Sequence, residues 1–449
     1  MFKKSLAFIL GLCLLLVVCG CGGSKETAGD TSSITQSATG QQTDKKAVLE
    51  IKVKSKNIEK FKSDRPYDPK KQDISIILVT GQSNFTPGVG YSSELGYYNK
   101  NQDTAPYPEL PIVPDEIGLV YTSYSFDTLT ELTDNRSIDE DYMLSGITPP
   151  FGTEWNSLTG TKTVFIQAAQ GAVGVHEWTP HPADYECTCP ANGKGQLYVK
   201  AVDNFKKAYE ALSQKYNVVY TGYIWNQGEH EEVYGAVEGN TVNSSKAYYD
   251  AYKSMHDGFM SELDLDFGGI SVVRADKVGD TAQNSMALTI ARTAQYQLCN
   301  DIDNLFMLST VGETCDVTMM DAAGPIHYSQ ATFNIMGTEM ANNLYCELGL
   351  GTANAFEGVK MYAADGALLA GFDATGKLTE GKSTIERSEV SGESLIKLSA
   401  LGTGHTLSYS LKVGDEDASA LVTGYGSVNW TELYKTHSLN KIDLKVVIE

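Results

Sequence analysis

The sequence has few cysteines and no cluster of basic residues. Eight cysteines occur in 449 residues, and the five that follow residue 21 are an odd, sparse set that does not indicate a disulfide framework. Cys187 and Cys189 are separated by one residue, and no second Cys or His pair lies at zinc-finger spacing, which argues against a zinc site. Lysine and arginine total 35 against 56 acidic residues, a formal net charge of −21 that repels phosphate backbones and excludes nucleic acid as a partner.

The sequence also lacks an ordinary membrane-spanning run. Residues 6–18 are apolar, but they are too few and too close to the start for such a helix, and two lysines precede them. Gly20 stands before Cys21, as the small residue does in a bacterial lipobox. We therefore expect residues 1–20 to be a lipoprotein signal peptide and Cys21 to be lipidated, with cleavage without a lipid as the alternative. Either way we expect an exported chain, and with the lipid it would be anchored to the membrane at the bacterial cell surface.

Short apolar segments alternate with helical patterns between residues 73 and 348. The strand candidates are 74–79, 163–168, 218–225, 269–273 and 305–308, and the helix candidates are 197–216, 246–263, 281–298 and 330–348. Alternating elements of these lengths predict βαβ units, and therefore a parallel sheet with helices on both faces.

The remaining stretches differ in composition from this alternating part. Residues 84–162 are a long connection rich in Tyr, Pro and Asp, which we expect to cover the sheet and build the substrate cleft. Residues 352–449 contain short alternating runs between Gly, Asp and Ser, which predicts a small antiparallel β domain of the sandwich type. We assign 21–47 to a flexible polar tether and 48–351 to the α/β region, although the alternating segment 47–55 is also a candidate strand of the β domain.

Four polar or glycine-rich stretches follow predicted strands. They are Gly81-Gln82-Ser83-Asn84 after the first strand, residues 169–178 (AQGAVGVHEW) after the second, Trp225-Asn226-Gln227-Gly228-Glu229 after the third, and residues 324–329 (GPIHYS) after the fifth. The carboxyl ends of parallel strands lie at one edge of a sheet, so these stretches are expected to converge. They contain what ester hydrolysis requires, namely a nucleophile, a base and donors for the oxyanion.

This set of stretches resembles the SGNH (GDSL-like) hydrolases, and within them the sialate O-acetylesterase and carbohydrate esterase family six group. The resemblance covers residues 72–348 and depends mainly on GQSN and QGE, which occur in this order and each behind a strand. It implies a flavodoxin-like, doubly wound parallel sheet and a serine acetylesterase that acts on an acetylated carbohydrate and needs no cofactor or metal.

The resemblance and the chemistry assign the same roles to individual residues. Ser83 is the candidate nucleophile and His327 the candidate base. The backbone N–H groups of Ser83 and Gly171, with the side-chain amide of Gln227, are the candidate oxyanion donors. The residues of these blocks that we assign to substrate binding are Gln82, Asn84, Trp178 and Asn226.

The acid that orients His327 stays open. The family usually has an Asp three residues before this His, and Gly324 occupies that position here. Asp321 keeps the order of acid before His but lies six residues away, whereas Glu229 lies at a neighbouring strand end. Both are candidates for the catalytic carboxylate.

The sequence thus predicts a carbohydrate O-acetylesterase that removes acetyl groups from glycan hydroxyls through an acyl-enzyme on Ser83. The substrate glycan is left open among sialic acid, xylan and others. The alternative is a catalytically decayed, glycan-binding surface lipoprotein, and a structural surface protein is a third hypothesis. Turnover of a short acetyl ester separates the enzyme from both.

Overall fold

The computed structural model describes residues 45–86, 146–171, 173–180, 195–231, 245–274, 282–314, 319, 327–363, 366–390, 394–423 and 426–449. Its first strand, β1 (Ala47–Ser55), alternates between buried and more exposed residues, as the sequence indicates. The predicted signal peptide, Cys21 and Asp321 lie outside the described residues.

Five strands in the middle of the chain form a parallel sheet. They are β2 (Asp73–Gly81), β3 (Lys162–Gln167), β4 (Asn217–Asn226), β5 (Phe267–Ser271) and β6 (Leu305–Ser309). Within the described residues their order across the sheet is β3-β2-β4-β5-β6, and every hydrogen-bonded pair is parallel. All five match the strands predicted from sequence, and the parallel sheet is confirmed.

Helices cover both faces of this sheet. They are α1 (Thr148–Thr159), α2 (Gln196–Ser213), α3 (Ser245–Glu262), α4 (Ala282–Asp301), α5 (Val311–Thr314) and α6 (Gln330–Glu347). Ile74, Ile76 and Leu78 of β2 share a hydrophobic cluster with α2, α3 and α4, whereas Ile77 and Val79 share another with α1 and α6. Successive side chains of a strand point to opposite faces, so β2 is buried on both sides. In the part of the chain that the structure describes, no helix has the length and apolar content to cross a membrane.

Helix α1 lies within residues 84–162, which the sequence predicts to be a long connection. Its sequence, TPPFGTEWNSLT, has prolines at the second and third positions, and these fit the first turn of a helix because N–H groups there have no intrahelical partner. It ends at Gly160, whose φ of 74° is the usual left-handed C-cap. Phe151 and Trp155 are fully buried, and Trp155 Nε1 donates to Ser75 Oγ at 2.9 Å. The prolines, which are also typical of loops, therefore belong to the first turn of a core helix that the sequence analysis did not predict.

The C-terminal region builds two further sheets. Its strands are β7 (Gly358–Tyr362), β8 (Leu368–Asp373), β9 (Leu378–Gly381), β10 (Thr384–Glu386), β11 (Leu395–Leu398), β12 (His405–Val413), β13 (Glu416–Asp417) and β14 (Lys441–Ile448). Their described orders are β10-β14-β1-β12-β13 and β11-β7-β8-β9, and a helix, α7 (Trp430–His437), precedes β14. Apolar residues of both sheets form one hydrophobic cluster, which is the arrangement of a β-sandwich.

Strand β1 lies inside the first of these two sheets. It pairs antiparallel with β12 and parallel with β14, and Leu49, Ile51 and Val53 are fully buried in the shared cluster. Residues 47–55 therefore belong with the β region, and the assignment of residue 47 to the tether and of 48–55 to the α/β region is corrected. The parallel β1–β14 pair departs from the purely antiparallel domain that the sequence predicts.

The β region is bonded to the parallel-sheet region. The Asn300 side chain donates to Leu407 O at 3.0 Å and accepts from Leu407 N at 2.9 Å, so an α4 amide pairs with a β12 backbone unit. Lys397 of β11 also forms an ion pair with Glu313 of α5. Residues Lys45–Glu449 accordingly form one compact unit.

Candidate active site

The turn that presents Ser83 depends on a glycine at the end of β2. Gly81 has a φ of 109°, and a Cβ at this position would lie 2.1 Å from Asn226 O. Only glycine therefore allows the ends of β2 and β4 to approach so closely. Gln82 N donates to Asn226 O at 2.9 Å, and a 3₁₀ turn over Ser83–Phe85 follows. This turn leaves Ser83 partly exposed between the buried residues Gln82 and Asn84.

The second block lies beside this turn. Gln170 N donates to Gly81 O at 3.2 Å, which places the next residue, Gly171, near Ser83. No described residue accepts a hydrogen bond from the backbone N–H of Ser83 or of Gly171. Both N–H groups are thus free of partners within the described residues, and their assignment as oxyanion donors stays a prediction.

The side chain of Gln227 does not provide a third donor. Gln227 is fully buried, and its Nε2 donates to Val173 O at 3.1 Å and to Glu231 Oε1 at 2.7 Å. Its Oε1 accepts from Tyr248 Oη at 3.1 Å. Both amide hydrogens are therefore used inside the protein, and the assignment of Gln227 to the oxyanion hole is corrected. The sequence identifies the block but not the direction of this side chain.

Asn84 joins three of the four predicted blocks. Its Nδ2 donates to Glu229 Oε1 at 2.7 Å, and its Oδ1 accepts from Tyr328 N at 3.2 Å. Asn84 follows Ser83 in the chain and Tyr328 follows His327, so the amide ties the serine turn to the histidine segment and to the QGE carboxylate. The convergence that the motifs predict is present in the structure.

The candidate base lies in a partly buried and electropositive setting. Burial lowers the pKa of His327, and the positive charge of Arg274 lowers it further. Ser83 Oγ makes no hydrogen bond with any described residue, so the nucleophile and the base are not yet joined. Such bonds often tighten only when substrate binds.

Arg274 is a residue of this site that the sequence motifs did not identify. It lowers the pKa of His327 and opposes the effect of burial on the pKa of Glu229. Both groups therefore lie within electrostatic reach of one guanidinium. The available signal was its position three residues after β5, at the sheet edge where the other blocks meet.

Glu229 is the orienting-acid candidate that the structure describes. It is 8% exposed, and burial is the main cause of its raised pKa. Its Oε2 accepts no hydrogen bond from the described residues. Asp321 lies outside them, so the choice between the two acids stays a prediction. Across the described residues, no group of His, Cys, Asp and Glu is arranged to hold a metal ion.

Trp178 is a core residue and offers no stacking surface to a sugar. It is fully buried, and its ring meets that of Trp225 edge to face at a centroid distance of 5.5 Å. Both rings belong to the hydrophobic cluster beneath the site. The substrate-binding assignment of Trp178 is therefore corrected, because a tryptophan after a glycine-rich block looks the same in sequence whether it faces the cleft or the core.

The other three residues assigned to substrate binding also point inward. Gln82 Oε1 accepts from His230 N at 3.1 Å, and Asn226 Nδ2 donates to Ser271 O at 3.1 Å. Gln82, Asn84 and Asn226 are all buried. Their amides hold neighbouring loops together, so in this structure they support the site and do not present a surface to substrate.

The chain matches one family model and resembles several solved structures. The family model for "Carbohydrate esterase, sialic acid-specific acetylesterase" matches residues 73–346. A protein from Arabidopsis thaliana is 12% identical over 61% of this chain and 97% of its own, with a TM-score of 0.38. A carbohydrate acetylesterase from Xanthomonas citri is 14% identical over 68% and 71%, with a TM-score of 0.39. Another, from Sinorhizobium meliloti, is 10% identical over 60% and 98%, with a TM-score of 0.29.

No curated protein matches the chain. The family match runs from the first residue of β2 almost to the end of α6 and includes all four blocks. It covers more than half of the sequence, and it agrees with the resemblance inferred from GQSN and QGE. The chain therefore belongs to the carbohydrate esterases of the sialic acid-specific acetylesterase family.

Proposed function

We propose that this protein removes O-acetyl groups from glycan hydroxyls through an acyl-enzyme on Ser83. The observation that carries the proposal is the position of Asn84, which ties the turn of Ser83 to Glu229 at 2.7 Å and to the residue after His327 at 3.2 Å. The segments that carry a partly exposed serine, a histidine and a buried carboxyl are thus joined at the carboxyl edge of the sheet, which supports a shared role in the reaction. Family membership supports an acetylated carbohydrate as the substrate class.

The proposed reaction proceeds in two steps. Ser83 Oγ attacks the acetyl carbonyl carbon while His327 takes the Oγ proton, and the N–H groups of Ser83 and Gly171 stabilise the oxyanion. His327 then gives this proton to the sugar oxygen, the C–O bond to the sugar breaks, and the acetyl group stays on Ser83. Water attacks the acyl-enzyme with His327 again as base, which releases acetate and restores the serine.

The orienting acid in this proposal is Glu229 or Asp321. Glu229 is favoured by its bond to Asn84 and by its place beside Arg274, which also acts on His327. Asp321 is favoured by chain order, since the family usually places its acid shortly before the histidine.

We further propose that the sheet is the flavodoxin-like, doubly wound type. The order across the sheet is β3-β2-β4-β5-β6, so the second strand in the chain lies at one edge, the first lies next to it, and the other three follow in chain order. Helices cover both faces, and both features support that arrangement.

Export and anchoring through Cys21 are a separate proposal that depends on the apolar segment and the lipobox-like residues alone. Globomycin treatment of cells that express the full chain should cause the unprocessed form to accumulate if Cys21 is lipidated.

A second candidate function is glycan binding without turnover. The specific observations that favour it are the missing hydrogen bond of Ser83 Oγ among the described residues and Gly324 at the position where the family has its acid. In that case the cleft would retain a glycan and release no acetate.

Turnover of p-nitrophenyl acetate by the wild type and by Ser83→Ala tests the proposal. The wild type should release p-nitrophenol and the variant should not, with circular dichroism and thermal midpoints confirming that both are folded. Acetate release from acetylated sialic acid and from acetylated xylan then identifies the glycan. Glycan binding by a folded wild type that hydrolyses none of these esters would establish the second candidate instead.

A further inference from the structure

A second buried carboxyl, Glu231, lies two residues after Glu229 and has no role in the proposed chemistry. It is 1% exposed, and its Oε1 accepts from Val175 N at 2.6 Å and from Gln227 Nε2 at 2.7 Å. Val175 belongs to the second block and Gln227 to the third. One carboxylate oxygen therefore links the two stretches that carry Gly171 and Glu229.

The same link fixes the backbone on both sides of Gly174. Gln227 Nε2 also donates to Val173 O at 3.1 Å, so Val173 is held from the third block and Val175 from the residue two positions after it. There is no space for a side chain between them, because a Cβ on Gly174 would lie 2.5 Å from His176 Cε1 and 3.4 Å from Glu231 Oε1. The segment that follows Gly171 is thus held by a carboxylate and an amide in addition to the apolar packing of Val173 and Val175.

The second oxygen of Glu231 makes no compensating contact in the described residues. Glu231 Oε2 is buried and accepts no hydrogen bond there. Burying a carboxylate without full hydrogen bonding is costly, so such a group is rarely present for stability alone. It is therefore a candidate for a functional role.

Several titratable groups surround Glu231. Burial raises its pKa to about 7, the bonds from Val175 and Gln227 oppose this rise, and the charge of Glu177 adds to it. His176 faces it across Gly174, and Tyr248 of α3 bonds to Gln227. Glu229 and His230 precede it on its own segment.

We propose that Glu231 is a positioning residue that holds Val175 and Gln227 so that the N–H of Gly171, four residues before Val175, faces the oxyanion. It acts through those two hydrogen bonds and does not touch the substrate. This inference rests on the proposed esterase function. An ionised carboxylate accepts both bonds more strongly than a neutral carboxyl does, so the positioning is strongest when Glu231 is deprotonated.

The test uses Glu231→Gln, which keeps one acceptor oxygen and removes the charge. Because a small misplacement of a donor can reduce the rate substantially, kcat should fall about 10-fold above pH 7 while KM changes less than about twofold. The ratio of wild-type to variant kcat should shrink toward one below pH 6, where the wild-type carboxyl also becomes neutral. Glu339→Gln is the matched control, since Glu339 also has a pKa raised by burial but bonds to Ser309 Oγ, away from the second block.

A second measurement does not depend on activity. Glu231→Ala leaves the N–H of Val175 without its acceptor, so hydrogen exchange of the peptide that contains Val175 should accelerate by roughly 10-fold. Loss of kcat with the stated pH dependence, together with this faster exchange, supports the inference. If a folded Glu231→Gln protein keeps the wild-type kcat and pH profile, the inference is overturned whatever the exchange data show, because the role of Glu231 is then structural only.

The failure of the inference can be told apart from the failure of the proposed function. A wild type that hydrolyses no acetyl ester overturns both, whereas an active wild type with the same kcat as Glu231→Gln overturns only the inference.

Discussion

The carboxyl edge of the parallel sheet and the C-terminal β region differ in how deeply their polar side chains are buried. At the sheet edge, Gln227, Glu229 and Glu231 are buried, and their side chains bond to the serine turn and to the second block. In the β region the shared cluster is apolar and most charges lie outside, as in the Lys52–Glu449 pair, whose side chains are 43% and 33% exposed, although Lys397 is only 15% exposed. Buried polar groups require partners and stabilise less than apolar packing does, so the group of amides and carboxyls at this edge is a candidate for the functional site.

The strongest test of this comparison is Ser83→Ala, which removes the nucleophile from the sheet edge. Loss of the nucleophile in a serine protease costs about 10⁶ in kcat, and we expect turnover of p-nitrophenyl acetate to fall by roughly 10⁴–10⁶ here. The hydroxyl makes no hydrogen bond with the described residues, so the thermal midpoint should stay the same. Turnover at near the wild-type rate would show that Ser83 is not the nucleophile.

The next largest effect should come from the orienting acid. Glu229→Gln and Asp321→Asn each replace a carboxylate by its amide, and the variant that loses the true orienter should lose about 10²–10⁴ in kcat. Steady-state kinetics of the two single variants, with matched folding checks, measures this. Equal losses would mean that the acids share the task. If neither loses more than about threefold, His327 works without a carboxylate.

A glycine at the sheet edge should be far less replaceable than one elsewhere. Gly81→Ala must adopt a φ of 109° and place a Cβ 2.1 Å from Asn226 O, whereas Gly160→Ala meets only a left-handed φ of 74° with no atom within 4 Å. Backbone strain alone costs on the order of 1–3 kcal/mol, and the overlap at Gly81 adds to it. Urea unfolding should therefore show a larger loss for Gly81→Ala, and only this variant should lose turnover. Equal losses would contradict the close β2–β4 approach.

The pH profile gives a smaller effect. A base must be neutral to accept the serine proton, and burial and Arg274 lower the pKa of His327 below its ordinary value of about 6.5. The step in kcat/KM that belongs to His327 should therefore lie on the acidic side of pH 6.5. Arg274→Gln removes the cation and should move this step to higher pH. A step that does not move would show that Arg274 does not act on the base.

The smallest effect should be that of the exposed pair in the β region. Lys52→Ala removes a partner of Glu449 at 3.2 Å, and solvent-exposed pairs of this kind contribute less than about 1 kcal/mol. Thermal unfolding should change little and ester turnover should not change. A loss of turnover in this variant would mean that the β region takes part in the reaction.

The sequence was sufficient for features that depend on local pattern. The strands, most of the helices and the convergence of the four blocks follow from apolar periodicity and from the geometry of parallel sheets, and the family resemblance is confirmed. The direction in which a side chain points could not be predicted from the sequence. Gln227 and Trp178 occupy positions that the motifs identify, yet one bonds inward and the other packs in the core. Helix α1 was missed because its prolines suggest a loop as readily as a first helical turn.

The place of β1 has a consequence for the order in which the chain can fold. Glu50 on this strand contacts Lys445 on β14, 395 residues later, so the sheet that contains β1 cannot close until nearly the whole chain is available. Contacts between residues so far apart in sequence form slowly. The strands β2 to β6 lie between Glu50 and Lys445 in the chain, and in the described residues they pair only with one another. During synthesis β1, which has one apolar face, would thus stay unpaired with two open edges and be prone to aggregation. A chain interrupted near residue 351 would leave that strand exposed permanently, so any shortened form meant to isolate the esterase region should also lack residues 45–55.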